Sequence, residues 1–196
     1  MRITGGRWRS RALDAPRGMA TRPTSDRVRE ALFSMLVSDG LIGGSGDEDD
    51  GPRVLDLYAG TGALAFEALS RGASAAVAVE HAREAVAVIR KNARALGVGG
   101  EFVLFDTKVD RALLKIEGPF GIVFLDPPYA DVRTPAFAAV LDRAAALLGP
   151  AGALVLEHAS PDEPPAIAGL ALDRTRKYGD SSVTVYRAPE IQGSST

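Results

Sequence analysis

The tetrapeptide Asp126-Pro127-Pro128-Tyr129 follows directly on the apolar run Gly121-Ile122-Val123-Phe124-Leu125. That run reads as a buried strand, so a carboxylate, two prolines and an aromatic ring arrive together at its carboxyl end, where open α/β sheets bind their ligands. Prolines fix φ and carry no N–H, which leaves their carbonyls as acceptors in a stiff loop. Asp126 and the Pro127 carbonyl can both accept from one amino group, while Tyr129 offers a flat face to a planar ring. The set suits an exocyclic amine on a nucleobase.

A second set lies upstream. Asp56-Leu57-Tyr58-Ala59-Gly60-Thr61-Gly62 joins a strand to a helix, and Ala65 completes a G-x-G-x-x-A pattern. Gly60 and Gly62 permit a tight turn and a ligand close to the backbone. A dinucleotide fits the glycines but not Asp56, whose charge would repel a pyrophosphate and attract a cation such as the amino group of S-adenosylmethionine. Glu80 ends the next strand, where an acid accepts from both ribose hydroxyls. Asp106 ends the third, within reach of an adenine amino group. The expected cofactor pocket is therefore Asp56, Tyr58, Gly60, Gly62, Glu80, Asp106 and Asp126, next to a catalytic group of Asp126, Pro127 and Tyr129.

Composition narrows the alternatives. No cysteine is present and only two histidines, His81 and His158, so disulfides, thiolate chemistry and a typical zinc site are excluded, and no metal is expected. There is no signal-peptide core and no apolar run of membrane-spanning length, so a cytoplasmic protein is expected, away from membranes and as a monomer. The net charge of -2 hides an asymmetry: residues 1–29 hold eight arginines, no lysine and two acids, a balance of +6 against -8 for the rest. Arginine pairs bidentately with phosphate and stacks on bases. A basic arm on an acidic body marks a nucleic-acid contact, with Arg7, Arg9, Arg11, Arg22 and Arg27 as candidates.

The elements that must position these groups alternate as strand and helix, the signature of a parallel sheet covered on both faces. Residues 1–15 suggest a short hairpin with Ile3, Trp8 and Leu13 inward. Thr24 or Ser25 can cap a helix running to about Val37, with Val28, Leu32, Met35 and Leu36 on its apolar face and Arg27 and Arg29 outward. Residues 1–39 then form a basic hairpin and helix, 40–52 a flexible acidic linker, 53–187 the catalytic domain and 188–196 a disordered tail. Within the domain, strands are expected at 53–58, 75–80, 101–105, 120–125 and 153–157, and helices at 63–71 and 83–96. A helix capped by Thr134-Pro135 should end near Gly149-Pro150, and 170–177 and 182–187 should close an antiparallel pair around Gly179-Asp180.

Three stretches together resemble a known family: Arg22-Pro23-Thr24-Ser25-Asp26-Arg27-Val28-Arg29-Glu30-Ala31-Leu32-Phe33; Asp56 to Leu64 continuing through Glu67-Ala68-Leu69-Ser70-Arg71-Gly72-Ala73; and Leu125 to Tyr129. The chain is similar over roughly residues 1–187 to the bacterial RsmD-type methyltransferases, with Tyr58 where phenylalanine is common and Thr61 where serine is common. The resemblance implies a Rossmann-like class I S-adenosylmethionine-dependent methyltransferase, with a mostly parallel seven-stranded sheet, helices on both faces and the last strand antiparallel. It implies methylation of the exocyclic N2 of a guanine in small-subunit (16S) ribosomal RNA, with S-adenosylhomocysteine as product. The implied partner is that RNA within a small ribosomal subunit or an assembly intermediate. The tetrapeptide is shared with adenine-N6 methyltransferases of DNA or RNA, and a non-catalytic RNA-binding protein is a third reading. Guanine presents N1–H and N2–H donors side by side, which suits the acceptor-only Asp126; an intact glycine loop beside an intact tetrapeptide opposes the third.

Overall fold

The computed structural model describes residues 1–16, 26–43 and 51–190. Helix α1 (Asp26–Ser38) precedes the alternating units β1 (Arg53–Leu57), α2 (Ala63–Ser70), β2 (Ala75–Glu80), α3 (Arg83–Leu96), β3 (Phe102–Asp106), α4 (Val109–Ala112), β4 (Phe120–Leu125), α5 (Pro135–Ala146) and β5 (Leu148–Ala159), closed by β6 (Ala171–Tyr178) and β7 (Ser181–Arg187). The seven strands lie in the order β3-β2-β1-β4-β5-β7-β6. β1 to β5 are mutually parallel, and β7 inserts antiparallel between β5 and β6. The chain order reverses between β1 and β4, and that switch point places the carboxyl ends of these two strands side by side around a crevice.

Side chains alternate across the sheet. Val54, Ala76, Ala78, Ile122, Phe124, Ala153 and Val155 pack with α1, α2 and α3 on one face. Leu55, Leu57, Val77, Val79, Val123, Leu125, Leu154 and Leu156 pack with α4 and α5 on the other. Both faces are covered, which is why these strands read as continuous apolar runs. Local signals act as expected at two helix ends: Thr134 caps α5 by accepting from the Phe137 N–H at 3.2 Å, and Gly97 ends α3 in the left-handed region at φ 72°. Among the described residues no helix is long and apolar enough to cross a membrane.

The amino-terminal segment makes a single bridge, Arg2 to Ala12, rather than a two-stranded ribbon. Ile3 and Leu13 are buried as expected, and Trp8 is half-buried. Backbone bonds from Ile3 N–H to the Arg11 carbonyl and from Leu13 N–H to the Met1 carbonyl pair the segment's two arms, and side-chain polar contacts fasten it to the helices. The fully buried Glu67 of α2 accepts from Thr4 N–H at 2.8 Å, Thr4 hydroxyl at 2.7 Å, Gly5 N–H at 2.9 Å, Arg71 at 2.8 Å and Arg29 at 3.3 Å. The buried Asn92 of α3 accepts from Asp14 N–H at 2.8 Å and donates to the carbonyls of Asp14 and Thr61. Arg29, expected to face outward, is completely buried; it also pairs with Asp26 at 2.8 Å and donates to the Arg2 carbonyl. Its spacing explains this: Arg29, Leu32, Phe33 and Leu36 follow the i, i+3, i+4, i+7 helical repeat.

Further differences concern boundaries. Gly149 and Pro150 do not end α5, which stops at Ala146; they lie in β5, in a bulge between the pairs Phe120–Leu148 and Ile122–Ala153 where Ala151 takes φ 56°. Ile42 is buried in the core beside Leu41, so the packed chain extends past residue 39. The acid run Asp47-Glu48-Asp49-Asp50, the cap at Thr24 or Ser25, Arg22 and residues 191–196 lie outside the described residues.

Candidate active site

Five acids occupy the carboxyl ends of five adjacent parallel strands: Asp106, Glu80, Asp56, Asp126 and Glu157. Each continues the alternation of the α1-α2-α3 face. Glu80 and Asp106 are register partners, Asp126 and Glu157 follow the partners Leu125 and Leu156, and Asp56, opposite Ala78 and Phe124, stands two residues further back. Four of them, all but Asp106, open onto one cavity of about 490 Å³, whose walls also include Tyr58, Gly60 and Tyr129.

Asp56 is 1% exposed. One carboxylate oxygen accepts from the Ala65 N–H in the first turn of α2 at 3.1 Å; the other, Oδ1, is buried and meets no partner among the described residues. Burial, with a smaller contribution from the Glu80 charge, pushes its pKa up to about 7 against the opposing Ala65 bond. A buried acceptor without a donor is costly, and in a cavity wall it is a place for a cationic or N–H donor ligand.

The loop after β1 is wound through three left-handed residues, Tyr58 at φ 65°, Gly60 at φ 55° and Gly62 at φ 77°. For a bulky aromatic residue such a φ is strained, by about 1–3 kcal/mol, and such strain concentrates at ligand sites. Tyr58 packs against Phe137 at 6.4 Å between ring centroids, and burial with the nearby Asp131 and Asp110 charges holds its hydroxyl protonated, pushed up to about 12. Nothing lies within 4 Å of where a Cβ on Gly60 would stand, so the backbone there is open to a ligand. Gly62 does not line the cavity; it starts α2, and a Cβ there would meet the Phe66 ring at 2.6 Å.

Glu80 lines the cavity, yet its carboxylate is also an internal brace. It accepts from Gly60 N–H at 2.8 Å and from His81 and Ala82 N–H at 2.7 Å each. It thus ties the glycine loop to the start of α3 while keeping lone pairs for ribose hydroxyls. Asp106 is in register with Glu80 but is not in the cavity wall; it is half exposed and turned to Arg90 of α3 at 3.0 Å.

Around the tetrapeptide, the Pro128 carbonyl accepts from Asp131 N–H at 2.9 Å, so only one of the two proline carbonyls remains for a ligand. The Pro127 carbonyl meets no donor among the described residues. The Tyr129 hydroxyl bonds Ser181 at 2.6 Å and approaches Glu157 at 3.5 Å, which fixes the ring at the cavity wall. Arg29, Asn92 and Glu157 carry site geometry that the sequence reading left out; the even spacing of Glu157 with Ala153 and Val155 was the available signal for the last.

The candidate RNA-binding arginines are dispersed. Arg7, Arg9 and Arg11 are exposed. Arg7 stacks on Trp8 at 4.2 Å and pairs with Glu101, and Arg11 bonds the Ala95 carbonyl near the end of α3. These contacts put them at the amino end of the strands, roughly one length of α3, ~20 Å, from the cavity. Arg27 is exposed on α1. Closer to the mouth, β6 presents exposed Arg176 and Lys177, the first in line with Val183 and Glu157 across the sheet.

Sheet order, switch-point cavity, glycine loop and acceptor-rich tetrapeptide together define the Rossmann-like class of methyltransferases, and a solved structure titled "Putative methyltransferase yhhF from Escherichia coli" superimposes with a TM-score of 0.80 at 30% identity, covering 96% of this chain and 98% of that one. The chain belongs to the family described as Conserved hypothetical protein 95, whose model matches residues 1–187. It is 34% identical over 191 residues to the Bacillus subtilis protein named "Putative rRNA methyltransferase YlbH", spanning 95% of this chain and 98% of the relative. It is 39% identical over 129 residues to the Escherichia coli ribosomal RNA small subunit methyltransferase D, spanning 66% of this chain and 60% of that protein. The family resemblance carried by the three sequence stretches is thereby borne out, as is the seven-stranded Rossmann-like fold.

Proposed function

We propose that the chain transfers the methyl group of S-adenosylmethionine to the exocyclic N2 of a guanine in small-subunit ribosomal RNA, presented in the cytoplasm by a small ribosomal subunit or an assembly intermediate. One observation carries this reading: the unpartnered oxygen of Asp56 and the Asp126–Pro127 acceptor pair open onto the same cavity. When bound, the cofactor supplies an electrophilic methyl group on a positively charged sulfur. Asp56 Oδ1 would hold its amino group, the Gly60 backbone leaves room for it, and Glu80 would accept from its ribose hydroxyls.

The guanine N2 lone pair is delocalised into the ring and is a poor nucleophile. Asp126 and the Pro127 carbonyl accept its two N–H bonds and pull the nitrogen toward tetrahedral geometry, which turns the lone pair to the methyl carbon. Transfer would form the N–C bond at the expense of the donor's C–S bond, and Asp126 would take the proton that the nitrogen gives up and pass it to water. Alignment of nitrogen, carbon and sulfur supplies much of the rate gain. The base leaves its stack to enter the cavity, where the Tyr129 ring meets its face.

Nucleoside analysis of RNA from methyl-deficient small subunits treated with the protein tests this. N2-methylguanosine is the expected product; N6-methyladenosine, or no product despite cofactor binding, would overturn it. Calorimetry with S-adenosylmethionine separates an enzyme from a binding protein that kept the fold.

The Asp56 assignment has a pH signature. The ligand cation needs the carboxylate ionised, so affinity should fall as pH drops below about 7, and fall again above ~8 as the ligand ammonium deprotonates. Asp56→Asn should flatten the acid limb and weaken binding roughly tenfold or more. The same substitution should stabilise the cofactor-free protein at neutral pH by at least ~1 kcal/mol. Asp56 keeps its proton in the folded state to a higher pH than in the unfolded chain, so this group costs stability as pH rises from 3.8 to about 7. Calorimetry and denaturant melts over that range check both.

RNA contact divides by distance from the cavity. Replacing Arg7, Arg9 and Arg11 together by alanine should weaken binding of the assembled particle and lower its salt slope by nearly one unit per lost phosphate contact, leaving S-adenosylmethionine affinity unchanged. A wild-type affinity and slope would move the RNA surface to the β6 cations.

A further inference from the structure

Resting on the guanine-N2 reading, we infer that Glu157 is a base-reading residue: with Asp126 it forms a two-carboxylate socket for a donor–donor base edge, Asp126 taking N2–H and Glu157 taking N1–H.

Glu157 follows Leu156 as Asp126 follows Leu125, and Leu125 and Leu156 are register partners on parallel strands. Asp126 leaves the end of β4 while β5 runs on, so that register, continued by one residue, brings the two acids to about one inter-strand step, ~4.8 Å at the backbone. Both sit on the same sheet face, one step beyond Phe124 and Val155, and both line the cavity. Glu157 is 9% exposed and lines the cavity, so its charge is withdrawn from bulk water. A solvated surface acid has no such placement.

A carboxylate accepts and cannot donate when ionised. Guanine places N1–H and one N2–H on the same edge, pointing the same way, and two carboxylates a strand apart converge on that pair. Adenine places a bare acceptor, N1, beside its amine. In this socket that nitrogen would face the Glu157 charge without a proton between them, which excludes adenine by repulsion rather than by weaker attraction. Asp126 alone does not give this, because one carboxylate and one carbonyl suffice for any exocyclic amine. Glu157 also approaches the Tyr129 hydroxyl at 3.5 Å, so the competing view is that it only positions the ring.

The test uses 2-aminopurine, which keeps the exocyclic amine of guanine but carries N1 as an acceptor. The RNA whose methylated guanine the nucleoside analysis identifies is prepared with guanine or 2-aminopurine at that position and assayed with the full-length protein and labelled S-adenosylmethionine. The wild type should prefer guanine by roughly 100-fold or more in kcat/KM, since a site built to bond a substrate N–H rejects an analogue lacking it. Glu157→Gln places an amide donor toward N1 and should shrink the preference below tenfold, with gain on 2-aminopurine and loss on guanine. Tyr129→Phe removes only the hydroxyl and should leave the ratio unchanged. The proposal is overturned by a wild type that methylates both bases equally, by Glu157→Gln with a wild-type ratio, or by Tyr129→Phe collapsing the ratio as Glu157→Gln does. A wild type that methylates no guanine N2 overturns the functional reading itself. The wild-type ratio needs no variant, so a misfolded Glu157→Gln does not remove the test.

Discussion

Asp126→Ala is expected to lower methyl transfer by roughly 10²–10³-fold while S-adenosylmethionine affinity stays within a few-fold. The size follows from what is lost: a charged acceptor aimed at a group whose charge changes in the transition state, of the order found when one such preorganised partner is removed. The cofactor retains Asp56, Glu80 and the open Gly60 backbone, none of which depends on the Asp126 side chain. The Pro127 carbonyl still accepts one N–H, so some turnover should survive. Asp126→Asn is the informative companion, because its amide can accept at the oxygen but presents a donor to the amine. It should stay well below the wild type with guanine. Single-turnover kinetics with saturating cofactor makes the measurement. A loss under about tenfold, ~1.4 kcal/mol of barrier, would show that Asp126 does not act on the amine.

Glu67→Ala should be the most destabilising single change in the amino-terminal half, by roughly 3–5 kcal/mol. Glu67 and Arg29 are both fully buried, and five donors converge on the one carboxylate. Removing it takes the Glu67 charge away from the buried Arg29 guanidinium, and leaves the Thr4 and Gly5 donors without the acceptor they share. The segment 1–16 should loosen from α2, and since Met1 and Pro16 help to wall the cavity, cofactor affinity should fall with stability. Glu67→Gln keeps the shape and two acceptor sites and should lose less. Denaturant melts read the first effect, limited proteolysis near residues 5–12 the second. An unchanged melting midpoint for Glu67→Ala would mean the network contributes nothing net.

Much of the sheet was legible because its strands are covered on both faces and so appear as apolar runs ending in an acid. Asp56, Glu80 and Asp126 could be placed at the cavity from that pattern, and Gly60 from the glycine spacing after the first strand. Asp106 fits the same pattern but is drawn to Arg90 on α3, a pairing between elements that no local spacing reveals. Arg29 was misread because its charge outweighed its position on the apolar stripe. Helix α4 is too short for any periodicity to register. Gly149-Pro150, an ordinary helix stop, proved to be a bulge in β5, which depends on how β4 pairs with it. Glu67 sits in an otherwise apolar helix, where only the tertiary arrival of Thr4, Gly5 and two arginines makes it a buried hub.

The sheet imposes a parity rule on its own mutational history. Five acids reach one face because each stands an even number of residues from the core positions before it. Removing one residue inside β1, Leu55 for instance, would swing Asp56 to the α4-α5 side. Removing two would restore its face but draw it back by about 6.6 Å, two strand steps, away from the cavity. Lengthening or shortening β1, β2, β4 or β5 is therefore closed to this protein by either count, whereas substitutions at the same positions remain open.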